Sequence, residues 1–210
     1  MEELVEGLKK AMFEDPVEDT RCVLHCEMKN EGFKTASKVQ YVARVGNFID
    51  NGADYTGALQ ILKVILSYDY LWQNIRVKGG AYGCMSGFSR TGEGYFVSYR
   101  DPNLERTMEV YEGIADYLRN FTVSDRDMNK YIIGTMSNID QPMTPSAKGD
   151  RSFNLYMNKV SAETIKKERL QILEAGQEDI RKLADVVEAV MKAEQVCVIG
   201  SEEKIEEAKD

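Results

Sequence analysis

"RVKGGAYG", residues 76–83, sets an arginine and a lysine before a pair of glycines and a tyrosine after it. What flanks the glycines settles what they are for. A dinucleotide or phosphate loop runs from strand to glycines to helix, so that the first helical amides face the anion. Here the order is reversed. Upstream, Ala58, Ile61, Leu62, Ile65, Tyr68 and Trp72 recur at helical spacing and predict a core-facing helix over 57–72. Downstream, 82–88 and 94–100 read as a hairpin around the 89–93 turn, where Gly92 and Gly94 permit the reversal. Gly79-Gly80 is therefore a helix-to-strand turn that needs left-handed backbone or close packing, and phosphate cradling is disfavoured.

Outward from that turn, the rest of the chain falls into place around one sheet. Residues 21–28 and 38–45 predict strands, the second with Val39, Tyr41, Ala43 and Val45 alternating against Lys38, Gln40 and Arg44, and Asn30-Glu31-Gly32 reads as the turn between them. Leu4, Leu8, Ala11 and Met12 suggest a short helix before them. After the hairpin, Asp101-Pro102-Asn103 starts a helix with Leu104, Met108, Tyr111, Ile114, Ala115 and Leu118 on one side. Ser124 and Asp127 resemble a capping box for the helix carrying Met128 to Ile139. Helices through Phe153 to Met157, over 161–174 and over 177–191 follow, then a late strand at 195–199 and a charged tail at 201–210, read as a short helix or a frayed end. Strands gathered early, helices late and one returning strand predict an α+β fold: a two-layer, largely antiparallel mixed sheet of about five strands with helices on one face. We expect one domain over 1–210.

At 210 residues and 43% hydrophobic content the chain can bury one sizeable core. The net charge of −8 argues against a surface that tracks nucleic-acid phosphates. The acidic start, Met1-Glu2-Glu3, lacks the basic and apolar regions of a secretory signal, and no run approaches the ~18 apolar residues of a membrane span, so a cytoplasmic location is expected. The four cysteines are scattered. Cys22 and Cys26 would share a strand face about 13 Å apart, too far to hold one ion, and buried free thiols are the better reading. With His25 as the single histidine, no metal site is expected in this chain.

Several separated motifs then carry a resemblance. "NEGF" at 30–33, "VQYVARVGNF" at 39–48, "LWQNIRVKGGAYG" at 71–83, the strand at 92–101 and "QPMTPSAKGDRSF" at 141–153 together resemble the C-terminal domain of the presequence-protease branch of the pitrilysin/insulinase zinc metallopeptidases. The resemblance runs over about 30–199. It implies a clamshell chamber for oligopeptides, with zinc and the general base on an H-x-x-E-H helix in an N-terminal catalytic half, and this chain has no such helix. It implies further that the C-terminal domain contributes Arg76 and Tyr82 to the substrate, with Lys78, Gly79 and Gly80 alongside. No nucleic acid or membrane partner is implied.

Those residue types suit the chemistry. Peptide-bond hydrolysis develops negative charge on the carbonyl oxygen, which preorganised donors stabilise beyond the ground state. A tyrosine hydroxyl stays protonated near neutral pH and can donate to that oxygen. Arginine offers a fixed fork of donors for carbonyls or a carboxylate, and the glycines leave room for an extended peptide. Lys78 reads more readily as a solvated loop lysine. The competing expectation is a noncatalytic structural or interaction subunit of the same fold. A small-molecule module would need a closed pocket away from Arg76.

Overall fold

The computed structural model describes residues 29–208 together with Glu6. The helix expected at 4–12, the strand at 21–28, and Cys22, Cys26 and His25 lie outside them. The described strands are β1 (Glu31–Thr35), β2 (Gln40–Asn47), β3 (Gly83–Phe88), β4 (Glu93–Asp101) and β5 (Gln195–Ser201). They form one sheet in the order β1-β5-β2-β4-β3, parallel between β1 and β5 and antiparallel elsewhere. The helices are α1 (Ala58–Ile65), α2 (Glu105–Glu112), α3 (Ile114–Arg119), α4 (Asp125–Ile139), α5 (Pro145–Met157), α6 (Ala162–Leu173), α7 (Gln177–Met191) and α8 (Glu202–Glu207). The α+β fold with helices on one sheet face is as expected.

The core lies between the sheet and the helices α1 and α7. Helix α7 buries Ile180, Leu183, Ala184, Val186, Val187, Ala189 and Val190, a stripe at 3–4 residue spacing. Each fully buried Ile or Leu in such a layer contributes roughly 1.5–3 kcal/mol. Helix α4 is capped as read from the sequence, with the Ser124 hydroxyl accepting the Asp127 N–H. For α5 the cap is Thr144, with Pro145 in the first turn where a missing N–H costs nothing.

Two sequence expectations are corrected. Asn30-Glu31-Gly32 is no turn: Asn30 accepts the Val196 N–H through its side chain and Glu31 opens β1 beside β5. On β2 the layer facing the helices is Gln40, Val42, Arg44 and Gly46, while Tyr41, Ala43 and Val45 lie on the opposite face. Buried Gln40 and Arg44 are tolerated there because they donate to the Pro102 and Met191 carbonyls, at 3.3 and 2.9 Å. Tyr41 therefore joins Phe33, Met85, Tyr95 and Ile199, all substantially exposed. The charged closing segment forms the short helix α8, which buries Ile205 beside β1.

The second correction concerns the helix that enters the opening motif. After Ile65 the chain continues in π-helical turns at Leu66–Tyr70 and Trp72–Val77. The wider turn shifts the apolar stripe, so Leu66, Leu71 and Ile75 are buried whereas Tyr68 and Trp72 face outward. The helix ends at Gly80, whose φ of +80° is the left-handed conformation glycine adopts without strain. Its N–H bonds the Arg76 carbonyl at 2.9 Å.

At the far side of the sheet, β4 carries a bulge. Gln40 pairs with Asp101 and Val42 with Ser98, so Tyr99 and Arg100 together oppose Tyr41. Arg100 adopts a φ of +48°. The extra residue switches the alternation: Phe96 and Ser98 face the helices, then Asp101 does, and Arg100 is turned out.

Candidate functional site

Three elements meet at one end of the β3–β4 hairpin: the last π turn with Trp72 and Arg76, the entry to β3 with Tyr82, and the bulged end of β4 with Tyr99 and Arg100. Arg76 lies four residues after Trp72 and places its guanidinium 4.4 Å from the Trp72 ring centre. The same guanidinium is 5.6 Å from the Tyr82 ring and donates to the Tyr82 carbonyl oxygen. The Arg100 guanidinium is 5.4 Å from the Tyr82 ring. Tyr99 meets Tyr82 edge-on, centres 5.6 Å apart. This approach needs Gly83, because a Cβ there would fall 2.4 Å from the Tyr99 hydroxyl oxygen.

The cluster is open to solvent. Tyr82 is 57% exposed and Trp72 39%. Among the described residues no carboxylate pairs with Arg76 or Arg100, whereas Arg90, Arg119, Arg169 and Arg181 each have one. Behind the cluster, Asp101 is buried and fixes the end of β4 by accepting from the Asn103 N–H at 2.9 Å and the Thr107 hydroxyl at 2.7 Å. Burial pushes the Cys84 thiol up to about 11, with Asp101 adding to the rise and Arg76 opposing it. That thiol stays protonated near neutral pH and is no nucleophile.

Arg76 and Tyr82 are thus brought together, as the sequence suggested. Gly79 is packed against its own helix end, where an added Cβ would meet the Ile75 carbonyl oxygen at 2.4 Å, and its carbonyl accepts from Asn103 at 2.6 Å. Gly80 is exposed beside it. Lys78 points to Asn74 at 3.3 Å rather than into the cluster. Sequence reasoning missed Trp72, assigned to the core, and Arg100, read as the end of a strand. The legible signal for the first was a cation four residues after an aromatic on a helix. For Arg100 there was none, since the bulge is set by pairing across the sheet. The larger grooves lie elsewhere. One of about 730 Å³ is lined by Arg90, Arg151, Asn154, Leu155 and Ile165 among others.

With this geometry in place, the comparisons with known proteins become specific. The family described as the PreP C-terminal domain matches residues 30–203. The chain belongs to that family. It is 48% identical over 182 residues to Protein HypA of Clostridium perfringens, covering 87% of this chain and 19% of the relative. It is 32% identical over 182 residues to Presequence protease 1, chloroplastic/mitochondrial, of Arabidopsis thaliana, covering 86% of this chain and 17% of the relative. The chain thus spans under a fifth of the length of these relatives. The fold is shared with a protease from Helicobacter pylori at a TM-score of 0.64 and 14% identity, over 94% of this chain and 52% of that one. It is shared also with a peptidase M16 inactive domain from Pseudomonas fluorescens at 0.58 and 16%, over 81% and 42%. Among the described residues no helix is long and apolar enough to cross a membrane, and no group of three His, Cys, Asp or Glu side chains is placed to hold a metal ion.

Proposed function

We propose that this chain is the substrate-contacting C-terminal domain of a zinc-dependent metalloendopeptidase that degrades oligopeptides. The observation that carries the proposal is the Arg76–Tyr82 pair: Tyr82 is 57% exposed, half-buried Arg76 is held against it between the helix end and the hairpin, and among the described residues no carboxylate pairs with that arginine. In this reading the Tyr82 hydroxyl donates to the scissile carbonyl oxygen as negative charge develops there. Arg76, anchored on Trp72 and on the Tyr82 carbonyl, directs its remaining N–H donors to the peptide. The zinc ion, which supplies Lewis-acid activation, belongs to an N-terminal catalytic half of the parent enzyme.

Membership of the PreP C-terminal family and the similarity to a presequence protease of Arabidopsis thaliana support this reading. Helix α5 favours a second one, an interaction subunit: it buries none of its residues and leaves Phe153, Tyr156 and Met157 exposed. Steady-state kinetics decides between them. Tyr82→Phe in the parent enzyme keeps the ring and removes the hydroxyl, and kcat should fall roughly 100- to 1,000-fold with a smaller change in KM. Unchanged turnover in the folded variant would favour the interaction subunit.

A further inference from the structure

The bulge in β4 redirects two side chains at the end of the strand. Had β4 continued its alternation past Phe96 and Ser98, Arg100 would face the helix layer and Asp101 the open side. Instead one extra residue lets Asp101 enter the buried layer, where Asn103 and Thr107 hold it, and swings Arg100 outward. Bulges beside functional sites commonly re-aim a side chain in this way. The re-aiming is done with a residue ill suited to it. A φ of +48° favours glycine and strains an arginine. Lys159 and Glu194 also have positive φ, but each follows a helix end, where left-handed residues are ordinary. Arg100 alone of the three sits inside a strand.

Its carbonyl accepts the Tyr82 N–H at 3.3 Å, and its guanidinium lies beside the Tyr82 ring. Two guanidiniums, those of Arg76 and Arg100, are therefore gathered around one exposed tyrosine within 6 Å of its ring centre. Two guanidiniums beside one ring, with no carboxylate paired to either among the described residues, favour an incoming anion. We infer that Arg100 is a third ligand-contacting residue of this site and that, with Arg76, it receives a carboxylate group of a bound peptide. The inference rests on reading Arg76 and Tyr82 as peptide contacts. The carboxylate comes from an acidic side chain or from the peptide's own C-terminus, and both present the same planar acceptor to a guanidinium fork.

Trp72 is the single tryptophan of the chain and lies under Arg76, so its emission reports on the site. The 210-residue chain is titrated with three N-acetylated pentapeptides of one sequence. The first carries a central Gln and a C-terminal amide, the second a central Glu and an amide, the third a central Gln and a free C-terminal carboxylate. At least one carboxylate peptide should bind about 5-fold more tightly than the neutral one, the value of an exposed ion pair. Which one does so identifies the source. Arg100→Gln and Arg76→Gln should each bring the ratio to about 1.

Arg100→Gly separates this role from a structural one. It relieves the left-handed strain, so the melting temperature should hold or rise by about 2–4 °C while the carboxylate preference disappears. Equal affinities for the three peptides, a preference that survives Arg100→Gln, or no response to any peptide up to about 5 mM would overturn the inference. Its failure is distinct from that of the parent reading, which is decided by turnover of Tyr82→Phe.

Discussion

The two ends of the β3–β4 hairpin use the same residue pair to different effect. At the turn end, Arg90 lies 5.6 Å from the Tyr55 ring and grips Glu168 through two N–H donors at 2.6 and 2.5 Å. Tyr55 in turn accepts from Gln60 at 2.8 Å, and burial raises its hydroxyl above the ordinary tyrosine range. Cation, ring and anion are all supplied by the fold. At the open end, Arg76 and Arg100 lie at similar distances from the Tyr82 ring, and among the described residues no carboxylate pairs with either. An arginine beside a tyrosine is thus a closed structural joint where a carboxylate completes it, and on our proposal a receptor where the described residues supply none.

The largest expected difference between the two ends is in turnover. Tyr82→Phe should lower kcat of the parent enzyme by roughly two to three orders of magnitude, whereas Tyr55→Phe should leave it within about 2-fold. Equal losses would erase the distinction. Next comes the backbone that sets the open end: Gly80→Val forces a β-branched residue to a φ of +80° and should cost about 2–3 kcal/mol in denaturant unfolding. A cost near zero would show that the turn can relax.

Smaller is the effect of the closed joint. Glu168→Gln removes the anion from Arg90 and should destabilise by about 1 kcal/mol, while Arg76→Gln should change stability by less than about 0.5 kcal/mol. Urea midpoints of the two variants compare them directly. The smallest effect is at alkaline pH. The Cys84 thiol is raised to about 11 from 9.0, so the folded chain holds this proton more tightly than the unfolded one. Its contribution is complete below pH 9 and is lost as pH rises through about 11. Because the thiol is partly exposed, the loss should be under about 1 kcal/mol. The fall in melting temperature between about pH 8.5 and 10.5 should be shallower in Cys84→Ala than in the parent chain.

What could be read in advance follows the range of the interactions that decide each element. Helix α7, the Ser124 cap, the hairpin and the left-handed turn after the π segment are set by neighbours within a few residues, and the sequence pattern displayed them. The pairing of β1 with β5 joins residues 31–35 to 197–201, and nothing local at Asn30 announces it. The face on which Tyr41 lies was not legible, because alternation alone marks two faces without saying which one the helices cover. Trp72 was placed in the core on a 3.6-residue repeat, which the π turns widen. The site was accordingly half legible: Arg76 and Tyr82 are joined by a turn six residues long, but Arg100 comes to them only through a bulge across the sheet.

Photo-crosslinking tests most directly whether the open end of the hairpin meets the peptide. With a p-benzoylphenylalanine in place of Tyr82 or of Tyr55 in the parent enzyme, the metal is stripped with a chelator so that a labelled unfolded peptide is held uncut, and the adducts are quantified by mass spectrometry. The account predicts an adduct at position 82 that excess unlabelled peptide abolishes, and none at position 55. An adduct at 55 alone, or at neither position, would contradict it.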